Sequence, residues 1–286
     1  MTSFLKTTLL LTAMTGLLMF VGDLLGGARG VAIFFVIAAA MNFFSYWFSD
    51  KMVLRAYHAQ ELDAQSAPEL YSIVNELAHA ASIPMPRLYL IDSDTPNAFA
   101  TGRNANHAAV AVTRGIMRIC TRDELKGVIG HELSHVTNRD ILTSSIVATM
   151  AGAIMMLGTM IRWGAMFGLG SRDDKEGGLE GLLIGGILAP IAATVIQLAI
   201  SRTREYQADA SGASLTHHPL YLASALRKLE AANERVPLDA SPSTAHLFIV
   251  NPLSAKGIAR LFSTHPPIDE RIRRLERMAP GQASGG

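Results

Sequence analysis

His131-Glu132-Leu133-Ser134-His135 sets two histidines four residues apart, with a glutamate beside the first. On an α-helix positions i and i+4 lie one above the other, so both imidazoles can reach a single ion. Glu132 is rotated off that face by one residue and can address a water on the same ion. Hydrolysis at zinc needs these parts: neutral nitrogen ligands, an open position for water, and a carboxylate to take its proton. The flanking residues place the stretch on a helix by a separate argument. Thr121-Arg122-Asp123-Glu124 reads as a capping box, with Thr121 as N-cap and Glu124 reaching back to the free amides. Leu125, Val128, Ile129, Leu133 and Val136 follow at helical spacing and form one apolar face, with the histidines expected beside that stripe.

Composition says where such a helix would work. The chain has 286 residues, of which 49% are hydrophobic and 17% charged. With a mean hydropathy of +0.26, that balance points to a membrane protein rather than an ordinary soluble domain. A net charge of +1 gives no case for nucleic acid as a partner. The single cysteine, Cys120, excludes an internal disulfide and a thiolate zinc site, and reads as a core residue.

Four apolar segments approach the length that crosses roughly 30 Å of hydrocarbon: residues 7–25, 31–48, 141–161 and 181–200. Only the first carries a charge, Asp23, near its far end. A cleaved signal peptide is the competing reading of that segment, but no small-x-small cleavage site precedes the second apolar run. Basic residues gather at one set of ends: Lys6, Lys51 and Arg55, Arg139, Arg202 and Arg204. This places both termini and the histidine helix in the cytoplasm, with Arg162 and Arg172 in the 162–180 turn weakening the signal. The resulting organisation is two transmembrane helices in 1–48, the first part of a catalytic domain in 49–140, a transmembrane hairpin in 141–200, the rest of the domain in 201–279, and a disordered Pro/Gly/Ser-rich tail in 280–286.

The polar part between the spans reads as α+β. Ser66-Ala67-Pro68-Glu69 has a second capping-box pattern, followed by an apolar face of Leu70, Ile73, Val74, Leu77 and Ala81. Short strands are expected at Arg87–Ile91, Asn97–Thr101 and Ala108–Thr113, divided by Asp/Pro and Gly/Asn breakers.

Two histidines leave zinc one protein ligand short of the usual three. The third has to lie on the same side of the membrane, which directs the search past 181–200. There, in Ser201-Arg202-Thr203-Arg204-Glu205-Tyr206-Gln207-Ala208-Asp209, Glu205 and Asp209 are again spaced i, i+4. One can ligate the metal while the other accepts a hydrogen bond from a ligand imidazole and fixes its tautomer.

These two stretches, together with Ser263-Thr264-His265-Pro266-Pro267-Ile268-Asp269-Glu270-Arg271, resemble the three hallmarks of the HtpX family of bacterial membrane metalloproteases, related to the CAAX prenyl proteases. The resemblance runs over nearly the whole chain. It implies a mainly helical α+β fold, a zincin-like domain with a small β-sheet plus four hydrophobic membrane helices. It further implies one zinc per chain held by His131, His135 and Glu205, with Glu132 as general base and Asp209 supporting a ligand. The role implied is quality control and stress response at the cytoplasmic face of the inner membrane. Misfolded or damaged membrane proteins and unfolded polypeptides would be substrates, in contact with the lipid bilayer.

Two further positions are candidates. Asn97-Ala98-Phe99-Ala100 resembles the strand that zinc proteases lay above the motif helix, whose backbone pairs with extended substrate. His265, stiffened by the two prolines after it, could stabilise an oxyanion or occupy the open metal position. The polar set Arg122, Asp123, Glu124, Lys126, Asn138, Arg139 and Asp140 argues against a site inside the bilayer. A metal-binding membrane scaffold or transporter without peptidase activity is the alternative. It has no need of Glu132.

Overall fold

The computed structural model describes residues 3–166, 194, 202–233, 243–250 and 266–279. The chain enters as α1, Ser3–Ala56, whose helical backbone breaks at Gly26 and Gly27. Gly27 has φ of +55° with ψ of −142°, a conformation open to glycine and strained for other residues. The two halves fold back as a hairpin. Asn42 Nδ2 donates to Thr15 Oγ1 at 2.9 Å, and a Cβ on Gly22 would stand 2.6 Å from the Gly30 carbonyl oxygen. Small residues are what allow so close an approach between helices.

Helix α5, Ile141–Met166, packs beside this hairpin. Leu10, Met14, Leu18, Ala38, Ile146 and Met150 form a shared apolar cluster, and Thr7 Oγ1 pairs with Thr143 Oγ1 at 3.0 Å. Leu9, Phe20, Ile33 and Val36 turn outward, each more than half exposed. Such a face is unfavourable in water and suits hydrocarbon. Among the described residues one helix, Gly26–Ala56, is long and apolar enough to cross a membrane, while Thr7–Asp23 and Ile141–Met156 are shorter apolar helices. Residues 181–200, the fourth expected span, lie outside the described residues except for Thr194.

Between α1 and α5 stands a four-stranded mixed sheet. Its strands are β1 (Gln60–Leu62), β2 (Arg87–Ile91), β3 (Ala98–Thr101) and β4 (Ala109–Thr113), in the spatial order β1-β2-β4-β3. β2 and β4 run parallel and the outer pairs antiparallel. Strand alternation sends Val110 and Val112 to one face, and Ala109 and Ala111 to the other. The valine face packs on α2 (Pro68–Ala80) and α4 (Arg122–Thr137) through Leu70, Ile73, Leu77, Val128 and Leu133. Full burial of each of these is worth about 1.5–3 kcal/mol. The alanine face admits an aromatic cluster of Phe99, Phe248 and Tyr57, with ring centroids 5.2–6.1 Å apart.

Local details depart from expectation at α2. Ser66 does not cap it: its Oγ donates to Asp63 Oδ1 at 2.8 Å inside a preceding turn, and Ala67 holds the N-cap position without a side-chain bond. Pro68 compensates, since its fixed φ suits the first helical turn. Strand β1 and the short helix α3, Arg114–Ile119, have no counterpart in the sequence reading.

The helices α6 (Arg202–Thr216), α7 (Pro219–Asn233) and α8 (Ile268–Arg277) complete the unit around α4.

Candidate metal centre

The capping box at the start of α4 is present in both directions: Thr121 N donates to Glu124 Oε2 at 2.8 Å, and Glu124 N to Thr121 Oγ1 at 3.3 Å. Glu124 also accepts from Ser224 at 2.6 Å and Lys228 at 2.7 Å on α7. Burial pushes its carboxyl upward, but these donors outweigh it and hold the group down at about 2. At the other end, Arg139 adopts φ of +59°, and Asp140 N returns to the His135 carbonyl at 3.2 Å. That turn swings Asp140 under the helix, where both carboxylate oxygens lie 3.2 Å from His135 Nδ1.

His131 is fixed by a different element. On α6, Glu205, Asp209 and Gly212 recur at i, i+4 and i+7, so they share a face. Gly212 lies on α4 so closely that a Cβ there would be 2.7 Å from the His131 amide nitrogen, with Gly130 opposite it. This glycine crossing brings Asp209 Oδ1 to 2.8 Å from His131 Nδ1. Each Nδ1 therefore donates to a carboxylate, which leaves both Nε2 lone pairs turned inward, 3.2 Å apart. Glu205 completes the set. Its oxygens lie 3.8 Å from His131 Nε2 and from His135 Nε2, and the three candidate ligand atoms all fall within 4.8 Å of one another.

Lone pairs and a carboxylate converging on one point repel unless a proton or a cation sits among them, and a metal ion is the occupant that both imidazoles and Glu205 can share. Two imidazole nitrogens at tetrahedral angles on an ion about 2.1 Å away would be about 3.4 Å apart, so the observed separation fits a metal. Beside the packed stripe His131 is nonetheless enclosed, 1% exposed where α6 crosses, while His135 is half-buried. Glu124 and Asp140, two of the polar residues that argued against a site inside the bilayer, are buried with their partners.

Glu132 is also buried, with Oε2 accepting from the Ala100 amide of β3 at 2.8 Å. Burial, opposed by the charge of His135 and the Ala100 amide, pushes its carboxyl up to about 8. His135 is pushed up to about 10: burial works against this, but Asp140, Glu205 and Glu132 prevail. Asp209 falls to about 2 because Arg271 and His131 overcome the effect of burial.

Sequence reading missed Arg271 and Asp140. Arg271 is fully buried and donates to both Asp209 oxygens, from Nε at 2.9 Å and Nη2 at 2.7 Å. Its Nη1 donates to the Ile249 carbonyl at 2.9 Å. The signal was available, because Arg271 falls on the stripe of Ile268, Ile272 and Leu275, where a charge needs a buried partner. Asp140 carried a weaker one: five residues after His135, its reach depends on a left-handed turn at a non-glycine residue.

β3 is the edge strand beside the site, as the Asn97–Ala100 expectation requires, but the chain itself already uses part of that edge. Ile249 N donates to the Ala98 carbonyl at 3.3 Å, and Asn97 Nδ2 to the Val250 carbonyl at 2.9 Å. Asn97 is wholly buried and braces this contact. Residues 246–249, the candidate ligand side chains, Glu132 and Ala100 line a small cleft. His265 lies outside the described residues; the chain is described again from Pro266.

Comparison with known proteins agrees with this geometry. Peptidase family M48 matches residues 64–279. Proteins named Protease HtpX homolog are similar over nearly their full length. The one from Syntrophobacter fumaroxidans is 58% identical, covering 96% of this chain and 98% of its own. That from Thermococcus kodakarensis is 52% identical over 96% of each. Among solved structures, S. mikatae Ste24p superposes with a TM-score of 0.52 at 19% identity. The match covers 96% of this chain but 65% of the Ste24p chain, and shows likeness of fold. With the family matched across the unit that carries the two histidines, the glutamates and Arg271, the chain belongs to peptidase family M48 and is a metalloprotease.

Proposed function

We propose that this protein is a zinc-dependent endopeptidase of the inner membrane that cleaves misfolded or damaged membrane proteins at the cytoplasmic face. One observation carries the reading: His131, His135 and Glu205 bring their ligand atoms within 4.8 Å of one another, beside the buried carboxylate of Glu132. One zinc per chain fits the nitrogen-rich donor set better than magnesium or calcium, which take oxygen ligands. When bound it would supply Lewis acidity to a water and to a peptide carbonyl.

The chain's own groups do the rest. Asp209 and Asp140 keep the Nδ1 protons in place, so that both Nε2 atoms face the ion. Glu132 takes a proton from the attacking water and returns it to the leaving amine. Burial pushes its carboxyl up, and a cation held by the neighbouring side chains would bring it lower, toward the ionised form that a base needs. Substrate pairing along β3 would use main-chain bonds, which suits many sequences. It would take over the Ala98 carbonyl now used by Ile249. The multi-pass arrangement rests on the apolar faces of α1 and α5, the uncharged 181–200 stretch, and the basic residues at the ends of these segments.

The direct test is Glu132→Gln in the purified full chain, assayed on an unfolded polypeptide, with zinc measured in the same samples. Zinc content should stay at one per chain while cleavage falls by about 10²- to 10⁴-fold. Undiminished cleavage by this variant would refute the assignment.

A further inference from the structure

The second half of α1 ends in a run of aromatic residues: Phe43, Phe44, Tyr46, Trp47 and Phe48. All are exposed, including Phe43 at 56% and Trp47 at 45%. Phe43, Trp47 and Lys51 recur at i, i+4 and i+8 and form one wall of a groove of about 520 Å³. The opposite wall comes from the sheet: Arg87 at the start of β2, and Arg103 and His107 in the connection from β3 to β4. That connection turns back closely on itself. Gly102 has φ of +139°, and a Cβ there would lie 2.5 Å from the His107 carbonyl oxygen.

Charge in the groove is unbalanced. Asp50 is taken by Arg87 at 3.1 Å. Neither Lys51 nor Arg103 has a carboxylate partner among the described residues. Arg103 lies over the Trp47 ring at 4.7 Å, and Lys51 is 5.7 Å from the Phe48 centroid. Arg103 also donates to His107 Nε2 at 2.6 Å, while His107 Nδ1 donates to Asn104 at 2.8 Å, so the guanidinium is set in place without being neutralised. All this sits at the end of the helix that is long and apolar enough to cross a membrane. Aromatic rings favour the headgroup level, and cations just beyond it attract anionic lipid.

We propose that this groove is a binding site for an anionic phospholipid, with its phosphate between Lys51 and Arg103 and its glycerol and upper acyl chains along Phe43 and Trp47. The two walls select this occupant together: a soluble phosphate would use the cations and leave the aromatic wall in water, whereas a zwitterionic lipid brings its own cation to a site that already has two. Because the walls belong to α1 and to the connection that leaves β3, the lipid would tie the span to the sheet edge beside the metal centre. The inference rests on the membrane reading above.

The test uses the full chain purified in neutral detergent and exposed to equal amounts of dioleoyl phosphatidylglycerol and dioleoyl phosphatidylcholine, with bound lipid counted by native mass spectrometry. Wild type should retain phosphatidylglycerol over phosphatidylcholine by about tenfold, as expected for one to two cations acting on one phosphate. Lys51→Gln/Arg103→Gln should bring the ratio within about twofold of unity. Glycerol 3-phosphate in large excess should not displace the lipid. Cleavage of a soluble unfolded substrate in detergent and the melting temperature without lipid should match wild type, which checks folding. If the double variant does not fold, Lys51→Glu alone should lower the ratio. Equal retention of the two lipids by wild type, or an unchanged ratio in folded variants, would overturn the proposal. Displacement by glycerol 3-phosphate would overturn it in favour of a plain anion site. A chain that stays in the aqueous phase without detergent would instead overturn the membrane reading itself.

Discussion

Arg271 is the residue on which the metal centre depends without touching the three candidate ligand atoms. A buried guanidinium is tolerable only with its partner, and Asp209 depends equally on it. Removing one member should therefore cost more than removing both. Arg271→Met alone leaves the buried Asp209 carboxylate with only His131 and should destabilise by about 3–5 kcal/mol. Arg271→Met with Asp209→Asn should lose less than the single variant in thermal melts; a sum of independent losses would show that the pair is not coupled. Glu124 gives the matching pH prediction. Its folded pKa, about 2, lies below the ordinary 4.5, so its stabilisation is present above about 4.5 and is lost as pH falls toward 2. Melting temperature should decline over that window, and the decline should be shallower in Glu124→Gln. The motif histidines, Glu132 and the capping box were legible because their chemistry is written in local spacing. Arg271 was legible only as a charge on the apolar stripe of α8; its partner was not, because that depends on where α8 lands, 62 residues beyond Asp209.

At the scale of elements, helices and strands with a clear period were readable. Arg87–Ile91 forms as expected, and α4 begins where its capping box predicts. Strand β1 was not, because three residues, Gln60–Leu62, carry no alternating pattern and are recruited by pairing with β2. What brings the ligands together is an inter-element contact, the crossing of α4 and α6 at Gly130 and Gly212. Such a contact is invisible in either segment alone. In Gly212→Ala the new methyl would meet the backbone at 2.7–2.9 Å, and neither backbone can move aside as a side chain would. The helices must separate, at a cost of about 1–3 kcal/mol. Since Glu205 and Asp209 ride on the same face, zinc affinity should fall with stability. Ser211→Ala, one residue away, should stay within about 0.5 kcal/mol of wild type and keep its zinc. Equal zinc affinity in Gly212→Ala and wild type would mean that the crossing does not set the ligand geometry.

The whole molecule assembles one centre from two distant parts of the chain. His131 and His135 come before α5 and Glu205 comes at the start of α6, so the site exists only when α6 is packed against α4. An unfolded chain has no such constellation, and metal binding is therefore linked to folding. At zinc a hundredfold above its Kd the linkage amounts to about 2.7 kcal/mol. For a unit of this size, at about 2–4 °C per kcal/mol, chelation should lower the melting temperature by about 5–10 °C. Adding zinc back should restore it, and Glu205→Gln should melt at the lower temperature and respond less to chelator. The apolar faces of α1 and α5 should remain unaffected, so detergent association ought to persist after chelation. A melting temperature unmoved by complete zinc removal would mean that the protein scaffold alone holds α4 against α6. The glycine crossing and the Arg271–Asp209 pair would then carry the assembly, and the metal would serve chemistry only.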